Sequence, residues 1–125
     1  MTKRILVVED QEDNRRIIRD LLTSVGYELI EATDGAAGVR LAEAERPDLI
    51  LMDIQLPVLD GHEATRRIKQ NPELRHIPIV VVTSYALSGD DAEAIAAGSD
   101  AYVAKPFSPR QLLATIRKFL PEAGG

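Results

Sequence analysis

The stretch Leu49–Asp53 has the sequence LILMD, in which four large apolar residues are followed by a carboxylate. It comes directly after Pro47 and Asp48. An unbroken apolar run of this length is typical of a strand that is buried on both faces of a parallel sheet. In open α/β sheets ligands bind at the carboxyl ends of the strands, which is where Asp53 would lie. We therefore predict a central strand here, with Asp53 as the candidate reactive group.

Strands and helices alternate along the rest of the chain. Short apolar runs predict further strands over 5–8, 27–32, 79–82 and 101–104, and the mixed polarity of 27–32 indicates an edge strand. Apolar residues at helical spacing predict a helix after each strand. Candidate helix caps are Asp13 or a neighbour, Asp34 and Ser108. This alternation predicts an α/β fold, a doubly wound five-stranded parallel sheet with five helices, in a single domain over 1–125.

Two of the predicted helices carry more specific expectations. In the first, Ile17 and Ile18 belong to an apolar face that we expect to lie in the core. The helix after the fourth strand is rich in alanine over 92–97, around a lone Ile95. Because it would bury little apolar surface, we expect it to be loosely held.

Composition and charge exclude several classes of function. A chain of 125 residues with 45% apolar and 28% charged residues is typical of one soluble globular domain. Its net charge of -5 offers no electrostatic footprint for nucleic acid or an anionic membrane. The absence of cysteine excludes disulfides, thiolate metal sites and thiol catalysis. Since it is also compatible with a reducing compartment, and no signal peptide or membrane span is apparent, we expect a cytoplasmic protein.

Polar side chains stand at the carboxyl ends of four of the five predicted strands. They are Glu9 and Asp10 after the first strand, Asp53 at the end of the third, Thr83 after the fourth and Lys105 after the fifth. Taken singly, each has an ordinary explanation, since acidic residues often cap helices and a lysine is usually solvated. Because the carboxyl ends of parallel strands share one edge, we expect these side chains to form one cluster.

Such a cluster suits phosphoryl chemistry. Three neighbouring carboxylates repel one another unless a cation binds among them. Oxygen ligands suit Mg²⁺, with Mn²⁺ as the alternative ion. Beside such a cation, Asp53 can act as a nucleophile toward phosphorus and form an aspartyl phosphate. The hydroxyl of Thr83 and the ammonium of Lys105 would then hold the phosphoryl oxygens.

The motifs at these positions resemble those of receiver domains in the two-component response-regulator family. They are Val7-Val8-Glu9-Asp10, Leu51-Met52-Asp53 followed by Pro57 and Asp60-Gly61, Val82-Thr83, and Lys105-Pro106-Phe107. The likeness runs from the first strand to the last helix, and it is specific as a combination. It implies a flavodoxin-like receiver fold with strand order 2-1-3-4-5.

The resemblance implies a phosphorylation-dependent signalling switch that works in a phosphorelay. Asp53 would accept a phosphoryl group from a phosphohistidine of a sensor histidine kinase or histidine phosphotransfer protein. Glu9, Asp10 and Asp53 would hold Mg²⁺ with the backbone carbonyl of Gln55, and the Lys105–Pro106 bond would be cis. Such a domain catalyses its own aspartyl phosphorylation and dephosphorylation without being a conventional turnover enzyme.

The family's switch maps onto Thr83 and Tyr102. The hydroxyl would move to the phosphoryl group, and the tyrosine ring would turn into the space that it leaves. The rim of the first helix near Asn14, Arg15 and Ile18 would help to dock the phosphodonor. The sequence ends soon after its last helix, so we expect output through contact with a downstream protein target. A start just before the first strand favours a stand-alone receiver.

Other classes of protein fit the sequence less well. A haloacid-dehalogenase-like phosphatase would carry a second aspartate where this chain has Gln55. A flavodoxin-like or dinucleotide-binding module would cradle phosphate in the first βα loop, where Glu9, Asp10 and Glu12 would repel it. Two alternatives stay open: a receiver cut from a hybrid kinase or larger regulator, and a pseudo-receiver that is not phosphorylated.

Overall fold

The computed structural model describes residues 2–83 and 98–121. In chain order, their elements are β1 (Arg4–Val8), α1 (Glu12–Ser24), β2 (Glu28–Ala32), α2 (Gly35–Glu45), β3 (Leu49–Asp53), α3 (Gly61–Gln70), β4 (Ile79–Thr83), β5 (Ala101–Ala104) and α4 (Pro109–Phe119). The strands form one sheet in the order β2-β1-β3-β4-β5, and every neighbouring pair is parallel. The predicted fold class and strand order are confirmed. The predicted alanine-rich helix around 92–97 lies outside the described residues.

Apolar side chains alternate between the two faces of the sheet, as the period of a strand requires. From β3, Leu49 and Leu51 pack in a cluster with residues of α1 and α4. Ile50 and Met52 pack on the opposite face, in a cluster with residues of α2 and α3. All five residues of β3 are buried, so the central strand is held from both sides. The sheet is therefore doubly wound, and Asp53 ends a strand that is buried along its whole length.

Helix starts follow the predicted capping in two cases and depart from it in one. Asp34 Oδ1 accepts a hydrogen bond from Ala37 N at 2.7 Å, and Ser108 Oγ accepts one from Gln111 N at 3.0 Å. The cap predicted at Asp13 or a neighbour is wrong, because the N-cap residue is Gln11 and its side chain makes no capping hydrogen bond. Asp13 instead lies within the first turn of α1, where its charge complements the positive end of the helix dipole.

The apolar face of α1 is narrower than its sequence predicts. Ile18 is 2% exposed and packs in the core, whereas Ile17 is 56% exposed. Consecutive helical residues point about 100° apart, so a stripe that buries Ile18 and Leu22 turns Ile17 outward. The prediction that Ile17 lies in the core is therefore wrong. Among the described helices, α1 is the longest at 13 residues, and none has the length and apolar composition needed to cross a bilayer.

Candidate functional site

Three carboxylates converge at the carboxyl edge of the sheet. Glu9, Asp10 and Asp53 each offer one oxygen, and these oxygens all lie within 4.8 Å of one another. They meet because β1 and β3 are neighbouring strands that end side by side. Glu9 is 2% exposed and Asp53 7% exposed, while Asp10 is half-buried at the mouth. An all-oxygen set at this spacing can hold a hard divalent cation.

Lys105 reaches this cluster from the loop that follows β5. Its Nζ donates hydrogen bonds to Glu9 Oε1 at 3.1 Å and to Asp53 Oδ2 at 3.3 Å. The predicted cis bond between Lys105 and Pro106 is present. The ammonium therefore bridges two of the three carboxylates, as the strand-end argument predicts.

Burial and charge shift two of the pKa values in the cluster. Burial raises the pKa of Glu9 above that of an ordinary glutamate, and its hydrogen-bonded contact with Asp53 raises it further. Burial alone would lower the pKa of Lys105, but the charges of Asp53 and Glu9 outweigh burial and raise it. Lys105 therefore stays cationic at neutral pH. One ammonium cannot balance three carboxylates, which leaves the site attractive to a further cation.

Backbone groups orient the two buried carboxylates. Gln55 N donates to Asp53 Oδ1 at 3.3 Å, and Gln11 N donates to Glu9 Oε2 at 3.1 Å. Each carboxylate thus has one oxygen on a backbone amide and the other on Lys105. This arrangement limits rotation of both side chains before any ligand arrives.

A close backbone approach fixes the start of α3 beneath the site. A Cβ atom on Gly61 would lie 2.1 Å from the carbonyl oxygen of Asp53 and 2.7 Å from Ile54 Cα. Backbone atoms cannot yield as a flexible side chain can, so only glycine fits here. The sequence singled out Gly61 only as part of the Asp60-Gly61 motif. The preceding residue, Asp60, caps α3 by accepting a hydrogen bond from Glu63 N at 2.9 Å, and no sequence pattern marks the close approach of Gly61 to the backbone of Asp53.

The remaining predicted site residues are only partly described. Thr83 ends β4 opposite Ala104, and its side chain lies outside what the structure describes. Tyr102 lies on β5 and is 43% exposed. Gln55 is exposed in the loop after β3, and its backbone carbonyl stays a predicted ligand. The structure thus brings together Glu9, Asp10, Asp53 and Lys105.

An open groove of about 480 Å³ lies beside Lys105. Asn14 and Ile17 of α1 line one side, and Lys105, Pro106 and Phe107 line the other. Of the residues predicted to form a docking rim, Asn14 lines this groove, whereas Ile18 is buried in the core. Its exposed neighbour Ile17 lines the groove, because the helical turn described above directs it outward. The docking role itself stays a prediction.

Arg15 makes contacts that the sequence did not predict. Its side chain is mostly buried, and its Nη1 donates to the carbonyl oxygens of Glu9 and Asp10. These are the two residues after β1 whose carboxylates enter the cluster. No sequence pattern marks a side-chain contact to a backbone carbonyl, because every residue carries that acceptor.

The chain belongs to the response regulator receiver domain family, whose model matches residues 5–117. It is 44% identical over 123 residues to the polar-differentiation response regulator DivK of Brucella ovis, across 98% of this chain and 100% of that protein. It also resembles the receiver domain of a sensor histidine kinase from Pseudomonas aeruginosa, crystallised with a magnesium ion in its active site cleft. That match has 40% identity and a TM-score of 0.91, and it covers 98% of this chain and 100% of that one.

A third similar structure is the chemotaxis response regulator CheY4 of Vibrio cholerae, with 28% identity and a TM-score of 0.90 over 95% of this chain and 99% of that one. Family, fold and site geometry agree. The predicted class is therefore confirmed: the chain is a receiver domain that acts as a phosphorylation-dependent switch in two-component signalling.

Proposed function

We propose that Asp53 is the phosphoacceptor of this receiver and that its phosphorylation depends on Mg²⁺. The observation that carries the proposal is the position of Asp53 at the end of the buried β3, within reach of both Lys105 and two further carboxylates. The proposed donor is a phosphohistidine of a sensor histidine kinase or histidine phosphotransfer protein. The phosphorylated domain would then signal by contact with a downstream protein target.

In the proposed reaction, a carboxylate oxygen of Asp53 attacks phosphorus. The new P–O bond forms as the P–N bond of the phosphohistidine breaks, and the imidazole leaves with the electron pair of that bond. Lys105, whose Nζ is 3.3 Å from Asp53 Oδ2, would hold charge on the transferring oxygens. The buried strand under Asp53 keeps the nucleophile in place, which reduces the reorganisation that attack requires.

Glu9 and Asp10, with Asp53 and the carbonyl of Gln55, are the proposed ligands of the metal. Bound Mg²⁺ would neutralise charge on the phosphoryl oxygens and polarise them. The three converging carboxylate oxygens and the incomplete balance from Lys105 support this assignment. The magnesium ion in the related Pseudomonas aeruginosa receiver also supports it. Mn²⁺ prefers similar ligands and is the proposed substitute.

Thr83 and Tyr102 are the proposed switch residues. Thr83 ends β4 between Asp53 on β3 and the end of β5, and Tyr102 lies on β5 itself. A tyrosine that is 43% exposed can bury further apolar surface by turning inward. We place these functions in a single receiver domain over residues 1–125. A cytoplasmic location is compatible with the absence of cysteine.

The test is phosphorylation by a small molecule such as acetyl phosphate, followed by intact-mass measurement. Wild-type protein with Mg²⁺ should gain the mass of one labile phosphoryl group, and Asp53→Asn should gain none. Asp60→Asn is the matched control, because Asp60 caps α3 and asparagine is an equally good helix cap. If the wild type gains no adduct, or Asp53→Asn gains the same one, the site assignment is wrong.

Chelation tests the metal separately. Removing Mg²⁺ with a chelator should abolish labelling while the circular dichroism spectrum stays that of the folded protein, because the core does not depend on the ion. Unfolding on chelation would instead indicate a structural metal and contradict the proposed role.

A further inference from the structure

Arg15, near the start of α1, folds back over the loop that joins β1 to α1. Its Nη1 donates to the carbonyl oxygen of Glu9 at 3.0 Å and to that of Asp10 at 3.3 Å. Its side chain is only 14% exposed. One guanidinium nitrogen therefore fixes two successive peptide groups, and these belong to the two residues that supply carboxylates to the cluster.

Arg15 is itself held by an ion pair with Glu31, which also binds Arg19. Nε of Arg15 lies 3.5 Å from Oε1 of Glu31 on the edge strand β2. Arg19, one helical turn further along α1, binds both oxygens of the same carboxylate, with Nε 2.9 Å from Oε2 and Nη2 2.7 Å from Oε1. These hydrogen bonds from Arg19 lower the pKa of Glu31, so its carboxylate stays ionised at neutral pH. Glu31 is thus a fixed anion that orients Arg15.

We propose, on the basis of the metal site proposed above, that Arg15 is a positioning residue for divalent-cation binding and that Glu31 orients it. The backbone N of Glu9 donates a hydrogen bond to Ala32 O, at the end of β2, at 3.0 Å. Arg15 binds the carbonyl oxygens of Glu9 and Asp10 and so holds the loop that follows β1. With the loop fixed, both carboxylates point to one ion without loss of further conformational freedom.

The charge of Arg15 and its hydrogen bonds to the loop should have opposite effects on Mg²⁺ affinity. Arg15 is a cation beside a cation site, so its charge alone disfavours metal binding through Coulomb repulsion. Its contacts to the loop favour metal binding by pre-organising the ligands. Removal of the side chain should therefore tighten Mg²⁺ binding if charge dominates, and weaken it if positioning dominates. Our proposal commits to the second outcome.

The experiment is calorimetric titration of Mg²⁺ into the protein without any phosphodonor. Arg15→Met should weaken Mg²⁺ binding about tenfold, the lower end of what removal of groups behind metal ligands costs. Arg15→Lys should lie between, since lysine keeps the charge but lacks the forked donor. Glu31→Gln should weaken binding a few-fold, although Glu31 is outside the carboxylate cluster. Arg16→Met is the matched control: Arg16 is exposed, pairs with Asp13 and should leave affinity unchanged.

Three outcomes would overturn the proposal. Unchanged or tighter Mg²⁺ binding by Arg15→Met would show that the residue acts through charge or through stability alone. If Arg15→Met does not fold, wild-type affinity in both Arg15→Lys and Glu31→Gln would overturn the proposal in the same way. Failure of the wild type and Arg16→Met to bind Mg²⁺ would overturn the metal site itself, and this inference with it. A purely structural role would shift the urea midpoint of Arg15→Met but leave the affinity of the folded protein as it is.

Discussion

Lys105 Nζ lies 3.3 Å from Asp53 Oδ2, although β4 separates the strand that Asp53 ends from the strand that Lys105 follows. The same ammonium is 3.1 Å from Glu9 Oε1. Lys105 therefore reaches across the edge of the sheet. Its positive charge reduces the repulsion among the three carboxylates before a metal binds. Replacing Lys105 should therefore lower the free energy of unfolding as well as impair phosphorylation.

Lys105→Met should destabilise the metal-free protein by about 2 kcal/mol, because it leaves two buried carboxylates without their charged partner. The same variant should gain more stability from Mg²⁺ than the wild type does, since the ion then replaces the missing cation. Urea unfolding in chelator and in Mg²⁺ measures both effects. Lys118→Met, an exposed position in the last turn of α4, is the control and should change little. Equal stability of Lys105→Met and wild type in chelator would contradict the pairing.

The raised pKa of Glu9 predicts how the stability of the metal-free protein depends on pH. The folded state holds the Glu9 proton to higher pH than the unfolded chain, because burial and Asp53 disfavour the charged form. The contribution of Glu9 is therefore fully present below the unfolded-state pKa and is lost as pH rises through the folded-state pKa. Glu9→Gln should remove this decline.

The difference in unfolding free energy between wild type and Glu9→Gln separates this effect from carboxylates that do not contact Glu9. Glu31, whose pKa is lowered, contributes with the opposite sign and cancels in the difference. Urea unfolding at a series of pH values in chelator is the measurement. A wild-type advantage over Glu9→Gln that grows as pH rises would contradict the direction of the shift.

The fold and the centre of the site could be predicted from the sequence because both depend on strand ends. The apolar run over 49–53 requires a central strand, and the carboxyl ends of parallel strands must share one edge. Glu9, Asp53 and Lys105 therefore meet by topology alone. That they would lie close together could be predicted from the edge of the sheet at which each loop begins, whereas the distances between their atoms could not.

Features that depend on rotation or on backbone contacts could not be predicted in this way. Ile17 and Ile18 are equally apolar, and only the packed orientation of α1 decides which of them is buried. The contact of Gly61 with Asp53 O and those of Arg15 with two carbonyls involve backbone acceptors, which a sequence does not distinguish. These contacts hold the backbone of the site in place. The side chains that form the site could therefore be predicted from the sequence, whereas the contacts that position them could not.

Gly61→Ala should destabilise the fold by more than about 3 kcal/mol, because its Cβ would lie 2.1 Å from Asp53 O and neither backbone segment can yield cheaply. Gly38→Ala is the matched control: its Cβ would meet side-chain atoms of Val8, the nearest at 2.9 Å, instead of backbone at 2.1 Å, and alanine favours the helix. The midpoint of thermal unfolding should therefore be far lower for Gly61→Ala than for Gly38→Ala. If the two variants are equally stable, the backbone contact at Gly61 is not rigid.

Gly61→Ala should also weaken Mg²⁺ binding in whatever fraction stays folded, because the clash displaces the backbone of Asp53 itself. Calorimetric titration at low temperature, where the variant is most folded, measures this. Wild-type affinity in folded Gly61→Ala would show that α3 can retreat without moving Asp53.

Thr65→Val should stabilise the protein by about 1 kcal/mol. Thr65 on α3 is fully buried, and its Oγ1 has no hydrogen-bond partner within residues 2–83 and 98–121. A buried hydroxyl without a partner costs about 1–3 kcal/mol, and valine replaces it with a methyl group of similar shape. Thr115→Val is the control, because Thr115 Oγ1 donates to Gln111 O at 3.0 Å on the exposed side of α4 and should show no such gain. Urea unfolding of both variants measures the difference, and a loss of stability in Thr65→Val would show that the hydroxyl is paired in the folded protein.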